Sequence, residues 1–243
     1  MVTPCAAPGR PRSAGPRSPG RPRPAAVGGR AGARAALRSP WRCARRGMIP
    51  SPALHAIAPA HRSDARAFAA YLIEHVAESG RRGVPHFAIA TSLAPDEVEH
   101  SARDRWGKGL DEPLWGRAWL LRSSEPRARI IGHIELRGGR FWSEGHRAVV
   151  AMGILGPHTG QGHGRRLLET AIAWARDEAG LEYLDLGVFA NNERARRLYA
   201  GMGFVPIGTR EDAFRVDGAI LDDIQMTLAL RSPDRRAAAA SER

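Results

Sequence analysis

The chain has 243 residues, enough for one large domain or two small ones. Its net charge of +12 suggests a nucleic-acid partner until the charge is divided along the chain. Eleven of the 37 basic residues lie between Arg10 and Arg46, in a stretch without a single acidic residue, which leaves 26 basic against 25 acidic residues for 48–243. That balance excludes an activity driven by a basic field, so nucleic acid is not the expected partner.

The stretch 1–47 is rich in Pro, Gly, Ala and Arg and poor in large apolar side chains, so it cannot bury enough surface to offset its ordering entropy. It reads as a disordered tail, and three origins stay open: a nucleic-acid-binding arm, a transit peptide, or an over-extended gene start with Met48 as the true first residue. The last is adopted here. Both cysteines, Cys5 and Cys43, fall in this tail, so the rest of the chain can form no internal disulfide, which fits a cytoplasmic setting. No run of about 18 apolar residues is present, and no membrane partner is expected. The polar, Ala-rich end 232–243 reads as frayed, which leaves 48–231 as the folded domain.

Within that domain, Leu54–Ala60 reads as a short strand and Ser63–Glu78 as a helix, with Phe68, Tyr71, Leu72 and Val76 at helical spacing. Pro95, Asp96 and Glu97 open a second helix, Ala94–Trp106. Three strands follow, Trp115–Arg122, Ala128–Leu136 and Arg147–Leu155. Gly138–Gly139 implies a hairpin between the last two, with Phe141 and Trp142 in its connection. Gly162–Glu178 is the clearest helix, placing Leu167, Leu168, Ala171, Ile172 and Ala175 on one face. Glu182–Phe189 alternates as a half-buried strand, Asn192–Ala200 is a short helix stopped at Gly201, and Phe204–Gly208 and Ile220–Leu230 close the chain as strands. Antiparallel strands followed by strand–helix–strand predict an α/β (α+β) fold. Its centre would be a mixed, mostly antiparallel twisted sheet with helices on both faces.

Chemistry concentrates at Thr159-Gly-Gln-Gly-His-Gly-Arg-Arg-Leu-Leu168, between a strand and the strongest helix. Gly160, Gly162 and Gly164 let the backbone turn tightly and approach a ligand, and a helix N-terminus adds unpaired N–H donors and partial positive charge. Together these suit a pyrophosphate, with Arg165 and Arg166 able to add charge-assisted contacts. The turn is no P-loop, because no Lys follows it and Lys108 is the only lysine. A dinucleotide fingerprint differs in spacing, yet Glu182 and Asp185 stand about where its acidic residue would, so the turn alone leaves that reading open.

The next segment decides between them. Asn192-Glu-Arg-Ala-Arg-Arg-Leu-Tyr199 and the following Gly203-Phe204, coming after another strand, resemble the core of the GNAT superfamily of N-acetyltransferases, as in a small bacterial single-domain member. The resemblance is specific over 147–208 and compatible over most of 48–230. It implies acetyl-CoA as co-substrate, no metal, and transfer of an acetyl group to a primary amine of a small molecule such as an amino acid. It implies cofactor contacts from Met152, Gly153, Ile154 and Leu155 on a splayed strand, from Thr159, Gly160, Gln161, Gly162, His163, Gly164 and Arg165 in the turn, and from Asn192. Tyr199 would touch the cofactor and protonate the leaving thiolate, and Glu135 would deprotonate the acceptor through water. Members often form homodimers. Thr159 departs from the Arg or Gln usual there, which removes a side-chain contact and leaves the backbone donors untouched. Transfer to a protein N-terminus or lysine, and a non-catalytic acyl-CoA-binding module, stand as alternatives.

Overall fold

The computed structural model describes residues 55–230, apart from 89, 91 and 125–127. The tail 1–47 with its cysteines, the start at Met48 and the frayed end 232–243 lie outside the described residues. Seven strands form one sheet in the order β1-β2-β3-β4-β5-β7-β6. These are β1 (Ala56–Pro59), β2 (Gly116–Arg122), β3 (Ile130–Gly138), β4 (Arg147–Ile154), β5 (Tyr183–Phe189), β6 (Val205–Val216) and β7 (Ala219–Ala229). Every neighbouring pair is antiparallel except β4 and β5. The sheet is therefore mixed and mostly antiparallel, as the order of elements predicts.

Helix α1 (Ala65–Val76) and helix α2 (Pro95–Arg105) pack on one face, where Phe68, Tyr71, Ala102 and Trp106 meet Ala118, Leu120 and Ile130. Helix α3 (His163–Asp177), the crossover between the parallel strands, buries Leu167, Leu168, Ala171 and Ala175 on the other face, with helix α4 (Glu193–Gly201) beside it. Each of those buried leucines contributes about 2 kcal/mol. In α2, Asp96 and Glu97 stand in the first turn, where they oppose the partial positive charge of the helix end.

Two elements differ from the sequence reading. β6 runs to Val216 rather than stopping at Gly208. Residues 205–212 are all exposed on the sheet edge, and two register shifts interrupt the ladder, so no apolar alternation marks this strand in the sequence. The connection that carries Phe141 and Trp142 contains a 3-10 turn, Trp142–Glu144, before β4 at the end where it still pairs with β5, with Trp142 90% exposed.

Glu135 ties α2 to the sheet. Its carboxylate is fully buried and accepts from Arg105 Nε (3.1 Å) and Nη2 (3.3 Å), Trp106 Nε1 (2.9 Å) and Arg137 Nε (2.7 Å). Burial alone would raise its pKa, but the charges of Arg137 and Arg105 outweigh burial and hold it below the usual value. A second buried group ties α1 to β3 and β4. Tyr71 Oη and His133 Nδ1 share a hydrogen bond (2.9 Å), and His75 stacks on Tyr71 and on Phe87. His75 Nε2 and Tyr71 Oη fill the space above Gly153, where a Cβ would stand 2.3 Å and 3.1 Å from them. Burial pushes His133 down to about 3 and His75 down to about 4, so both rings are neutral in the fold.

Two measurements check these ties. Glu135→Gln leaves Arg105 and Arg137 without their carboxylate and should cost about 3 kcal/mol in urea unfolding. Breaking the exposed Arg197–Glu193 pair, each side chain 72% exposed, should cost about 0.5 kcal/mol or less. The histidines bear on pH. Their folded pKa values lie below the unfolded value near 6.5, so their stabilisation is complete above that pH and is lost as pH falls toward 4. Unfolding free energy should drop by about 2 kcal/mol per imidazole between pH 7 and pH 5, and His133→Asn should remove about half of that drop.

Candidate active site

The parallel pair opens the site. β4 and β5 are in register only from Arg147↔Tyr183 to Val149↔Asp185. Beyond that point β4 stays paired to β3 as far as Ile154, and β5 stays paired to β7 as far as Phe189. The two strands part, and the edges of Val150–Ile154 and Leu186–Val188 that face each other have no strand partner among the described residues. Along each edge, every second residue turns its N–H and C=O into the gap. At the last rungs Arg147 grips Asp185 through Nε (2.7 Å) and Nη2 (2.8 Å), and Thr227 Oγ1 donates to the same carboxylate (2.8 Å). Burial would raise the pKa of Asp185, but the hydrogen bonds from Arg147 and Thr227 outweigh it and hold the value low.

The glycine turn stands at the open end. A 3-10 turn, Gly156–His158, leads into it, and Gly160 and Gly162 both take φ +81°. A side chain there would cost roughly 1–2 kcal/mol, which is why glycine occupies both positions. The backbone N–H groups from Gly160 to Arg165 have no acceptor among the described residues. Six adjacent donors at the positive end of α3 form a nest for an anion. Gly164 brings this turn close to its neighbours, since a Cβ there would stand 2.8 Å from Leu198 and 3.7 Å from Met152 and Ile154. Glu78, just beyond α1, anchors the turn from the other side by accepting the N–H of Gly156 (2.9 Å).

The residues singled out from sequence fall into groups. Gly160, Gln161, Gly162, His163, Gly164 and Arg165 supply the free N–H groups. Leu155 and Thr159 do not, because the N–H of Leu155 donates to Ile131 O (2.9 Å) and Thr159 gives both its N–H (3.1 Å) and its hydroxyl (2.8 Å) to Gly156 O. The ring of His163 turns inward against His55 (5.1 Å between centroids), away from the nest. Met152 and Ile154 send their side chains into the core under α3 and offer backbone alone, with Gly153 between them. Asn192 caps α4 by accepting the N–H of Ala195 (3.2 Å). Tyr199 is buried on α4 with Phe204 edge-on at 5.8 Å, and burial pushes its pKa up to about 12. Glu135 has each oxygen engaged by the donors described above, which makes it a clamp. As a base it would have to release two arginines.

One residue was missed. Arg194 places its Nη2 3.0 Å from where a Cβ on Gly160 would stand, so its charge lies over the nest. In the sequence it is an unremarked position of the Asn192 motif, and only the return of α4 beside α3 brings it there. Arg194, Glu193 and Asn191 also line a cleft of about 480 Å³ together with Gly80, Gly83 and His86 of the α1–α2 connection. Among the described residues no group of His, Cys, Asp and Glu could hold a metal, and no helix is long and apolar enough to cross a membrane.

Comparison with known proteins agrees with this geometry. Residues 86–204 match the acetyltransferase (GNAT) family model. The uncharacterised N-acetyltransferase YycN of Bacillus subtilis is 25% identical over 148 residues, covering 61% of this chain and 90% of that protein. The N-alpha-acetyltransferase RimI of Mycobacterium tuberculosis is 38% identical over 71 residues, 29% of this chain and 42% of that one. Among solved structures, YncA of Salmonella typhimurium with its cofactor acetyl-CoA superposes with a TM-score of 0.59 at 20% identity, covering 73% of this chain and 95% of that one. A GNAT-family acetyltransferase of Streptococcus pneumoniae gives 0.59 at 24% identity, covering 72% and 98%. The parted strands, the nest at α3 and these relatives agree, and residues 86–204 form an acetyltransferase domain of the GNAT family.

Proposed function

We propose that this acyltransferase moves an acetyl group from acetyl-CoA to the primary amine of a small molecule, an amino acid or a similar compound. The carrying observation is the parted β4–β5 edge ending at an unpaired N–H nest. The nest, with Arg194 above it and Arg165 at the first turn of α3, suits the diphosphate of CoA. The free edges of Val150–Ile154 and Leu186–Val188 suit an extended amide-bearing arm, which binds as an added strand does. Acetyl-CoA supplies a thioester carbonyl open to attack by an amine.

The protein's part is to orient, polarise and protonate. A backbone N–H on the β4 edge is fixed before any charge develops, so it stabilises an oxyanion without reorganising. Tyr199 keeps its proton because burial raises its pKa to about 12, and it can therefore serve as a donor to a thiolate. Glu135 positions α2 and Arg137 and takes no proton in this scheme. The match to RimI favours a second reading, in which the amine is the α-amine of a peptide.

The test is CoA-thiol release by the full chain against amino acids, polyamines, aminoglycosides and short peptides with free N-termini. One class should turn over, and acetyl-CoA should raise the melting temperature. Tyr199→Phe should lower kcat about 10²-fold while leaving that thermal protection intact. Unchanged turnover would reduce Tyr199 to a packing residue, and absence of protection by acetyl-CoA would overturn the reading of the nest.

A further inference from the structure

On the face of the sheet opposite α3, β7 carries a carboxylate that the fold leaves under-compensated. Asp223 is only 6% exposed. Its neighbours on β7, Ile224 and Met226, turn toward the core under α3, so Asp223 and Gln225 share the other face with Gly187 and Phe189 of β5. Asp223 is in register with Phe189 on one side and with Arg210 of β6 on the other. Its carboxylate leans over Gly187, where a Cβ would stand 2.7 Å from Oδ1 and 3.2 Å from Oδ2. Gly187 is exposed and belongs to the part of β5 that has left β4. The carboxylate therefore points across β5 toward the gap.

Its partners set it apart from the buried Glu135 and the half-buried Asp185. Glu135 holds two arginines and a tryptophan, and Asp185 holds Arg147 through two nitrogens. Among the described residues Asp223 accepts a hydrogen bond only from the neutral side-chain amide of Gln225. Arg210 Nη2 stands 4.0 Å away, beyond hydrogen-bond reach, with its guanidinium 5.3 Å over the ring of Phe214. A carboxylate removed from water whose cation stands at 4.0 Å, with no charge-assisted hydrogen bond to it, is incompletely compensated, and an arriving ammonium adds the close contact that Arg210 does not make.

We propose that Asp223 holds the ammonium of the acceptor amine, which gives one proton to water before it attacks as the neutral amine, and that Arg210, beside it, receives an adjoining carboxylate, so the site takes the zwitterionic head of a free α-amino acid. Phe189, Phe214 and Leu221 form an apolar cluster on the same sheet face, which selects an apolar side chain. A polyamine would bring a second cation toward Arg210 and is disfavoured. This assignment rests on the acyl-transfer reading above and names its acceptor.

The test uses the full chain with saturating CoA, which binds without reaction, and L-phenylalanine, L-phenylalaninamide and spermidine as probes of melting temperature. L-phenylalanine should stabilise the wild type. Asp223→Asn should abolish that shift, keep the shift given by CoA, and melt no lower than the wild type without ligand. Arg210→Gln should lose the shift from the amino acid and keep the shift from the amide. In turnover, Asp223→Asn should raise KM for the amino acid at least about tenfold and leave KM for acetyl-CoA unchanged. A shift in Asp223→Asn equal to that of the wild type, or no shift from either phenylalanine compound in any form, overturns the assignment, as does preference for spermidine. Stabilisation by L-phenylalanine that needs Asp223, without any thiol release, would sink the acyl-transfer reading and leave the binding site standing. Release with an amine that is indifferent to Asp223 would do the reverse.

Discussion

Everything in this protein follows from a ladder that stops. β4 and β5 pair over three residues and then separate, although each continues at full length. Unpaired backbone N–H and C=O groups inside a sheet need partners, and no described residue supplies them here. The separation is held from three sides. β3 grips β4 over seven registered pairs and β7 grips β5 over seven, so neither strand can move to close the gap. Arg147 and Asp185 staple the two strands at the last rungs, and α3 seals the underside with its apolar face.

Because the gap and the nest present backbone, most of the proposed recognition is independent of side-chain identity. Thr159 illustrates the point. Its hydroxyl and N–H close the 3-10 turn, and the free donors begin one residue later at Gly160. In the proposed reaction side chains matter where charge must be added, as with Arg194, or where a proton must be held, as with Tyr199. The buried ties, Glu135 to Arg105 and Arg137, and Tyr71 to His133, fix α1 and α2 against the sheet, and through Glu78 they fix the turn as well.

What the sequence makes legible is what repeats or punctuates locally. Helix α3 is written in the spacing of Leu167, Leu168, Ala171 and Ala175, the turn in Gly160 and Gly162, and α4 in the run from Asn192 to Phe204. The sheet's mixed character follows from the order of the elements. Features made by distant residues do not show. Glu135 reads as a candidate base, and nothing in the sequence places Arg105, thirty positions away, over its carboxylate. Arg194 acquires its position from α4 returning to Gly160, and Asp223 acquires its significance from a glycine on another strand. The edge strand β6 is polar throughout its middle and leaves no period to read.

Amide hydrogen exchange on the full chain, with and without acetyl-CoA, tests the parted ladder most directly. If the gap and the nest bind the co-substrate, exchange should slow at the N–H groups of Gly160–Arg165 and at alternate residues of Val150–Ile154, while β2 and β3 stay unchanged. Unaltered exchange at these amides, with acetyl-CoA demonstrably bound, would place the co-substrate elsewhere and contradict the role given to the separated strands.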